Sequence, residues 1–306
     1  MISFISLSPS VDVTYLVDQF FEGGTFRPTG VFRAAGGKAL NAARAARVLG
    51  ASVRAVAILG GSAGEFIRRD LEAAGILLEA VEGAAETRTC VSIASAASGL
   101  LTELYEHPSA IGTPELAVLR RLLGHPAEAG WWAISGGMPS SVPVGELAGL
   151  VRLGRSLGQS VAIDSHGAAL AAALEARPEL VKVNRREAAE LLGLDAATDA
   201  FDLALRIRSV TGGRVVITDG ADGSIALDDS SRRRATWTGA IGRFPVGSGD
   251  SYLGGLLTGL DRGDPFDAAL RLAAGAATAN ALVPGAGVFT AADASRIATE
   301  VVVSEG

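Results

Sequence analysis

Apolar, β-branched runs alternate along this chain with longer stretches whose apolar positions recur at helical spacing. The period-two or continuous runs predict strands at Ile2–Leu7, Val53–Leu59, Trp131–Ser135, Val161–Asp164, Leu180–Val183, Val215–Thr218 and Ser224–Leu227. Between them, amphipathic spacing predicts helices at Leu40–Leu49, Gly64–Ala74, Pro114–Leu123, Val144–Leu157, Arg186–Leu192 and Asp199–Val210. Two longer helices follow, at Asp250–Leu260 and Pro265–Leu282. Such alternation is the pattern of βαβ units, hence an α/β fold with a doubly wound, mostly parallel sheet flanked by helices. The rhythm breaks over residues 12–35 and 84–107, where Val11–Tyr15, Thr29–Ala34, Thr87–Ala94 and Leu100–Glu106 read as strands with no helix between. Those excursions predict a small β-sheet lid beside a single domain covering 1–306. No repeat or low-complexity linker divides the chain.

Composition narrows the function. With 306 residues, 48% of them hydrophobic, the chain can bury a large core. A net charge of −6 argues against a nucleic-acid or anionic-membrane surface, since counterion release needs a concentrated basic face. A small-molecule partner is expected. Cys90 is the only cysteine, so an intramolecular disulfide and a cysteine-based zinc site are excluded, and a cytoplasmic setting fits. The opening residues MISFISLSPS lack the basic and long apolar regions of a secretory signal. The uncharged run Leu272–Ala292 is mostly Ala and Gly and contains Asn280 and Pro284, which predicts a close-packed buried helix and not a membrane span. Trp131 and Trp132 open a strand and are expected in the core. His107, His125 and His166 have no metal-ligand spacing and are expected in surface or turn roles, and Arg232–Arg234 in a solvated hairpin loop.

Two glycine-rich segments carry candidate chemistry. In Gly36-Gly37-Lys38-Ala39-Leu40-Asn41 the glycines let backbone N–H groups approach a ligand at a helix start, where the dipole favours anions and Lys38 adds charge. In Pro245-Val246-Gly247-Ser248-Gly249-Asp250-Ser251, successive N–H groups can converge on an anion, with the Asp250 carboxylate beside them. A carboxylate next to an anion site is useful where it accepts a proton from an attacking hydroxyl. Neither spacing is that of the phosphate loop G-x-x-x-x-G-K-[ST].

Together with Asp12, the run Lys182-x-Asn184-x-x-Glu187 and Thr218-Asp219-Gly220-Ala221-Asp222-Gly223, these segments resemble the signatures of the ribokinase-like, or phosphofructokinase B, carbohydrate kinases across essentially the whole chain. The branch that phosphorylates sugar phosphates, namely 1-phosphofructokinase and tagatose-6-phosphate kinase, looks most similar. Gly23-x-x-x-Arg27, Thr87-Arg88-Thr89 and Pro245 point there. The resemblance implies an ATP- and Mg²⁺-dependent kinase in which Asp250 is the general base and Gly247, Ser248 and Gly249 form the anion hole. It implies acceptor binding by Asp12, Arg27, Gly37, Lys38, Asn41 and Arg88, with the basic residues holding the acceptor's phosphate. Nucleotide contacts would come from Lys182, Asn184, Thr218, Gly220, Gly223, Gly249 and Asn280, the last near the adenine. Asn184 and Glu187 would organise the metal, through water. A homodimer through the lid is also implied. The chain departs from the branch at Ala39, where GGKG is usual, and at Gly137, where Ser135-Gly136-Gly137 replaces a serine-glycine-serine segment and loses a hydroxyl. A kinase of an unphosphorylated sugar or nucleoside, and a non-catalytic sugar-phosphate sensor, are the alternatives on the same fold.

Overall fold

A computed structural model of the chain describes residues 1–125, 128–229, 231–240 and 242–306. Ten strands form the main sheet: β1 (Ile2–Ser6), β4 (Val53–Leu59), β5 (Leu77–Glu82), β8 (Trp131–Ser135), β9 (Ser160–Asp164), β10 (Leu180–Asn184), β11 (Arg214–Thr218), β12 (Ser224–Leu227), β13 (Arg232–Thr236) and β14 (Val302–Glu305). Their spatial order is β14-β13-β12-β11-β10-β9-β8-β1-β4-β5. The strands from β11 across to β5 run parallel, and β12 to β14 are antiparallel.

Helices cover both faces, which explains the nearly unbroken apolar strand runs. One face carries α1 (Lys38–Val48), α2 (Gly61–Ala73), α8 (Ser248–Arg262), α9 (Phe266–Ala281) and α10 (Ala291–Glu300). The other carries α3 (Thr113–Leu123), α4 (Glu146–Ser156), α5 (Gly167–Leu174), α6 (Arg185–Leu192) and α7 (Ala200–Thr211). The first face is built from small side chains. Ala55, Ala57, Ala133 and Ala162 of the sheet share one apolar cluster with the alanines of α1, and side-chain-free Gly254 of α8 touches the backbone of α1. That packing places the starts of α1 and α8 side by side. Trp131 and Trp132 lie in the core, as expected. No described helix is long and apolar enough to cross a membrane, and α9 is a packed helix of Ala and Gly.

Four strands, β2 (Ser10–Val17), β3 (Gly30–Gly36), β6 (Arg88–Ser95) and β7 (Leu101–Tyr105), form a separate sheet in the order β3-β2-β6-β7. Asp12, Thr14, Phe32, Ala34, Cys90, Ser92 and Tyr105 share one of its faces by register. The end of β3 is tied to α2 where the Ala35 N–H donates to Asp70 Oδ2 at 2.7 Å.

Some elements differ from the sequence expectation. Arg232–Arg234 belong to β13, where Arg233 donates to Asp267 Oδ1 at 2.8 Å and Arg234 stacks over Phe201 at 5.5 Å. Paired and stacked guanidinium groups suit a strand near a sheet edge, and their charge discourages further strand addition. Helix α5, GAALAAAL, has no polar face and so no helical period to detect. Edge strands β5 and β14 and helix α10 likewise lie outside the expected set.

Candidate active site

A cleft of about 950 Å³ runs along the carboxyl edge of the parallel strands, where open α/β sheets bind ligands. Residues ending or following β1, β8, β9, β10 and β11 meet there with the N-termini of α1 and α8 and with the inner face of the small sheet.

Two glycines make the α1 end possible. A Cβ on Gly36 would lie 2.0 Å from the Asp12 carboxyl carbon, and Gly37 at φ 88° turns the chain into α1. Asn41, one turn into α1, is buried and donates from Nδ2 to Asp250 Oδ2 at 2.9 Å and to Asp12 Oδ2 at 3.4 Å. The amide thereby holds two carboxylates that would otherwise repel. Ser10 Oγ donates to Asp12 Oδ1 at 2.6 Å, and burial nevertheless raises the Asp12 carboxyl above its ordinary range.

Asp250 lies in the first turn of α8, after the left-handed Gly247 at φ 77°. It is 8% exposed. Burial pushes its carboxyl up to about 6, Asp164's charge adds to that, and Lys38, Lys182 and the Asn41 bond pull the other way. Gly247, Ser248 and Gly249 line the same wall.

Both lysines of the chain converge on one fully buried carboxylate, Asp164. Lys38 Nζ donates to its Oδ1 at 3.0 Å, and Lys182 Nζ to its Oδ2 at 2.8 Å. Burial alone would raise Asp164, but the two ammonium groups together hold it below the usual carboxylate range. Lys38 also donates to Glu187 Oε1 at 3.1 Å; burial disfavours its charge, but Asp164, Glu187 and Asp250 keep its ammonium well above the ordinary range. The two ammonium groups therefore flank a single carboxylate. Lys182 Nζ lies 3.0 Å from where a Gly249 Cβ would stand, beneath the α8 turn.

Asn184 and Glu187 form a reciprocal capping box at the start of α6, with Glu187 N donating to Asn184 Oδ1 at 2.8 Å and Asn184 N to Glu187 Oε2 at 2.9 Å. No three described His, Cys, Asp or Glu side chains are grouped to hold a metal ion. Thr218, Gly220 and Gly223 line the far end of the cleft together with Trp237 and with Ala274, Ala277 and Ala281 of α9, a largely apolar wall.

Two expected residues lie elsewhere. Arg27 is exposed on the segment between β2 and β3 and does not line the cleft. Asn280 is fully buried behind it: Nδ2 donates to Val246 O at 2.8 Å, and Oδ1 accepts from Gly287 N at 2.7 Å. Those bonds leave it a brace for the Val246–Ser248 loop, with no face toward a base. Arg88 does line the cleft, its guanidinium steadied by donation to Ser8 O at 3.2 Å and Glu106 O at 3.1 Å. Three residues of the site escaped the sequence reading: Asp164, fully buried behind the two cleft-lining lysines, and His107 and His166, which stand on the cleft wall and not on a remote surface. The strand Val161–Asp164 closing on a carboxylate at a carboxyl edge is the signal that could have found the first.

A family model of pfkB carbohydrate kinases matches residues 3–292. The chain belongs to this family. Phosphofructokinase-2 from Escherichia coli in complex with potassium is 26% identical and superposes with a TM-score of 0.91, covering 98% of each chain. The same enzyme in complex with fructose-6-phosphate gives 25% identity and 0.89 over 98% of each chain. A possible 1-phosphofructokinase from Thermotoga maritima, 21% identical with a TM-score of 0.90 over 100% of this chain and 99% of that one, shares the fold. This pfkB protein is an ATP-dependent carbohydrate kinase with a ribokinase-like fold.

Proposed function

We propose that this kinase transfers the γ-phosphoryl group of ATP to a hydroxyl of a sugar phosphate, with Asp250 as general base. The observation that carries this reading is the buried Asp250 carboxylate at the Gly247–Gly249 turn, opening on the same cleft as the Arg88 guanidinium. The acceptor hydroxyl gives its proton to Asp250 as its oxygen attacks phosphorus. Backbone N–H groups of Gly247 and Gly249 stabilise the charge on the transferring group, whereas the Ser248 N–H donates to Pro245 O at 3.0 Å and shapes the turn, and Lys38 and Lys182 contribute fixed positive potential. Asp12 and Asn41 orient the sugar; Arg88 and Lys38 meet its phosphate. ATP lies toward Thr218–Gly223 and the alanines of α9.

The donor set fits Mg²⁺ held mainly by nucleotide phosphates and water, since no carboxylate cage exists among the described residues and Glu187 is the acidic group nearest Lys38 on the α6 side. Asn184 and Glu187 would meet its water shell. When bound, the ion neutralises phosphate charge.

Fructose 1-phosphate is the first acceptor to test, then tagatose 6-phosphate, and fructose 6-phosphate because the E. coli relative holds it. A coupled ADP-release screen of these beside fructose, ribose and adenosine is expected to show turnover with a sugar phosphate. Arg88→Ala should raise its KM about 10- to 100-fold, the worth of hydrogen bonds to a charged group. Turnover confined to neutral acceptors and indifferent to Arg88 would sink the phosphosugar assignment; ligand binding without any turnover would mark a sensor.

Assembly through the small sheet belongs to the same reading. Phe32 is 43% and Tyr105 54% exposed on the face they share with Asp12, a surface suited to a second copy of the chain. Light scattering should report a dimer that Phe32→Asp converts to monomer; a monomeric parent protein at micromolar concentration would contradict it.

A further inference from the structure

The pair Gly137 and His166 has a geometry that neither fold nor core packing demands. Gly137 follows β8 and His166 follows β9, neighbouring strands whose ends align Ser135 with Asp164. Gly136 requires glycine, at φ 114°, but Gly137 is not in the left-handed region and its backbone admits any residue. A Cβ built on Gly137 would stand 3.1 Å from His166 Cε1 and 3.5 Å from Nε2, with no other heavy atom within 4 Å. The imidazole alone occupies the space a side chain at 137 would use.

His166 is exposed and on the cleft wall, so it is not a packed core residue. It occupies the N-cap position of α5, yet its side chain caps nothing, and it has no hydrogen-bond partner among the described residues. Its neighbour two positions earlier, Asp164, is already committed to both lysines. An unengaged imidazole facing a cleft offers an N–H donor suited to phosphate or hydroxyl oxygens.

We propose that His166, admitted by the missing side chain at Gly137, binds the sugar phosphate acceptor and helps determine which acceptor is taken. This rests on the phosphosugar kinase reading above. The imidazole donates to an acceptor oxygen, and Gly137 is small so that the ring can reach it.

The test is steady-state kinetics with fructose 1-phosphate, tagatose 6-phosphate and fructose 6-phosphate on four proteins: the parent, His166→Ala, Gly137→Ser and the double variant. His166→Ala should raise acceptor KM about 10-fold or more, by loss of a hydrogen bond to a charged group, with kcat and the KM for ATP within about threefold of the parent. Gly137→Ser should impair acceptor binding in the parent by crowding the ring. In the His166→Ala background the same serine should improve binding, because its hydroxyl enters the vacated space. That reversal of sign is not expected of a residue that only supports the loop. Unchanged acceptor KM in His166→Ala, or an effect of Gly137→Ser that is the same in both backgrounds, overturns the inference while leaving the kinase reading intact. A parent protein that phosphorylates none of the three sugars overturns the reading and the inference with it.

Discussion

Asp250→Asn is expected to lower kcat by about 10²- to 10⁴-fold, the contribution of a positioned general base, while leaving ATP affinity within a few-fold of the parent. The substitution keeps the side chain's shape, and its amide oxygen can still accept from Asn41, which now donates to Asp250 Oδ2 at 2.9 Å. What it removes is the capacity to take a proton. Near-normal turnover in this variant would exclude Asp250 as the base.

The pH dependence follows from the same carboxyl. Burial and the nearby Asp164 push Asp250 up to about 6, so it is ionised at neutral pH and loses its function as pH falls through that value. An acid limb near 6 in kcat/KM, which reports the free enzyme, is the expected profile. Sugar phosphates also lose a proton near there, with a second pKa of about 6. The limb is assigned by Asp164→Asn, which removes a negative neighbour and should move it to lower pH, a shift the substrate cannot produce. The sign for stability is opposite to that of a salt-bridged acid. A raised carboxyl takes up a proton more readily folded than unfolded, so Asp250 detracts from stability above about 6 and the deficit fades as pH falls. Asp250→Asn should therefore melt at the same or a higher temperature than the parent at pH 8.

How much of this was legible in the sequence depends on how local each determinant is. The turns before α1 and α8 are written in consecutive residues, because only closely spaced glycines allow the positive φ of Gly37 and Gly247. Strand periods fixed the parallel sheet, and the two excursions from that rhythm became the small sheet. Asp164 was legible as a carboxylate closing β9, but not as the partner of both lysines. Its role is created by Lys38, 126 residues away, and Lys182, 18 residues away, brought together by strand order. Asn280 misled for a related reason: an amide on an Ala-rich helix gives no hint whether it faces a cleft or braces the loop behind it. Arg27 lies in a motif, but the β2–β3 connection carries it away from the cleft within this chain. The N-x-x-E run of Asn184 and Glu187 reads both as a helix cap and as a metal motif, and the cap is what the hydrogen bonds display.

Asp164→Asn should be the most destabilising single change in the site. Lys182's side chain is 4% exposed and pairs with Asp164 as its only acidic partner among the described residues, whereas Lys38 retains Glu187. Removing one partner of a buried pair leaves the other charge desolvated, a cost of about 3–5 kcal/mol. Urea unfolding should register it. Replacing Lys182 by Met as well should recover part of the loss, since a neutral pair leaves no stranded ammonium. Activity should not recover with stability. Lys182 Nζ sits 3.0 Å from the Cβ position of Gly249, and with Asp164 it fixes the positive charge beneath the turn that would receive the transferring phosphoryl group. The double variant is therefore expected to fold better than Asp164→Asn yet transfer phosphate no faster. If stability and turnover instead rise together, the Asp164 bridge serves the fold alone, and the charge beneath Gly249 has no part in the chemistry.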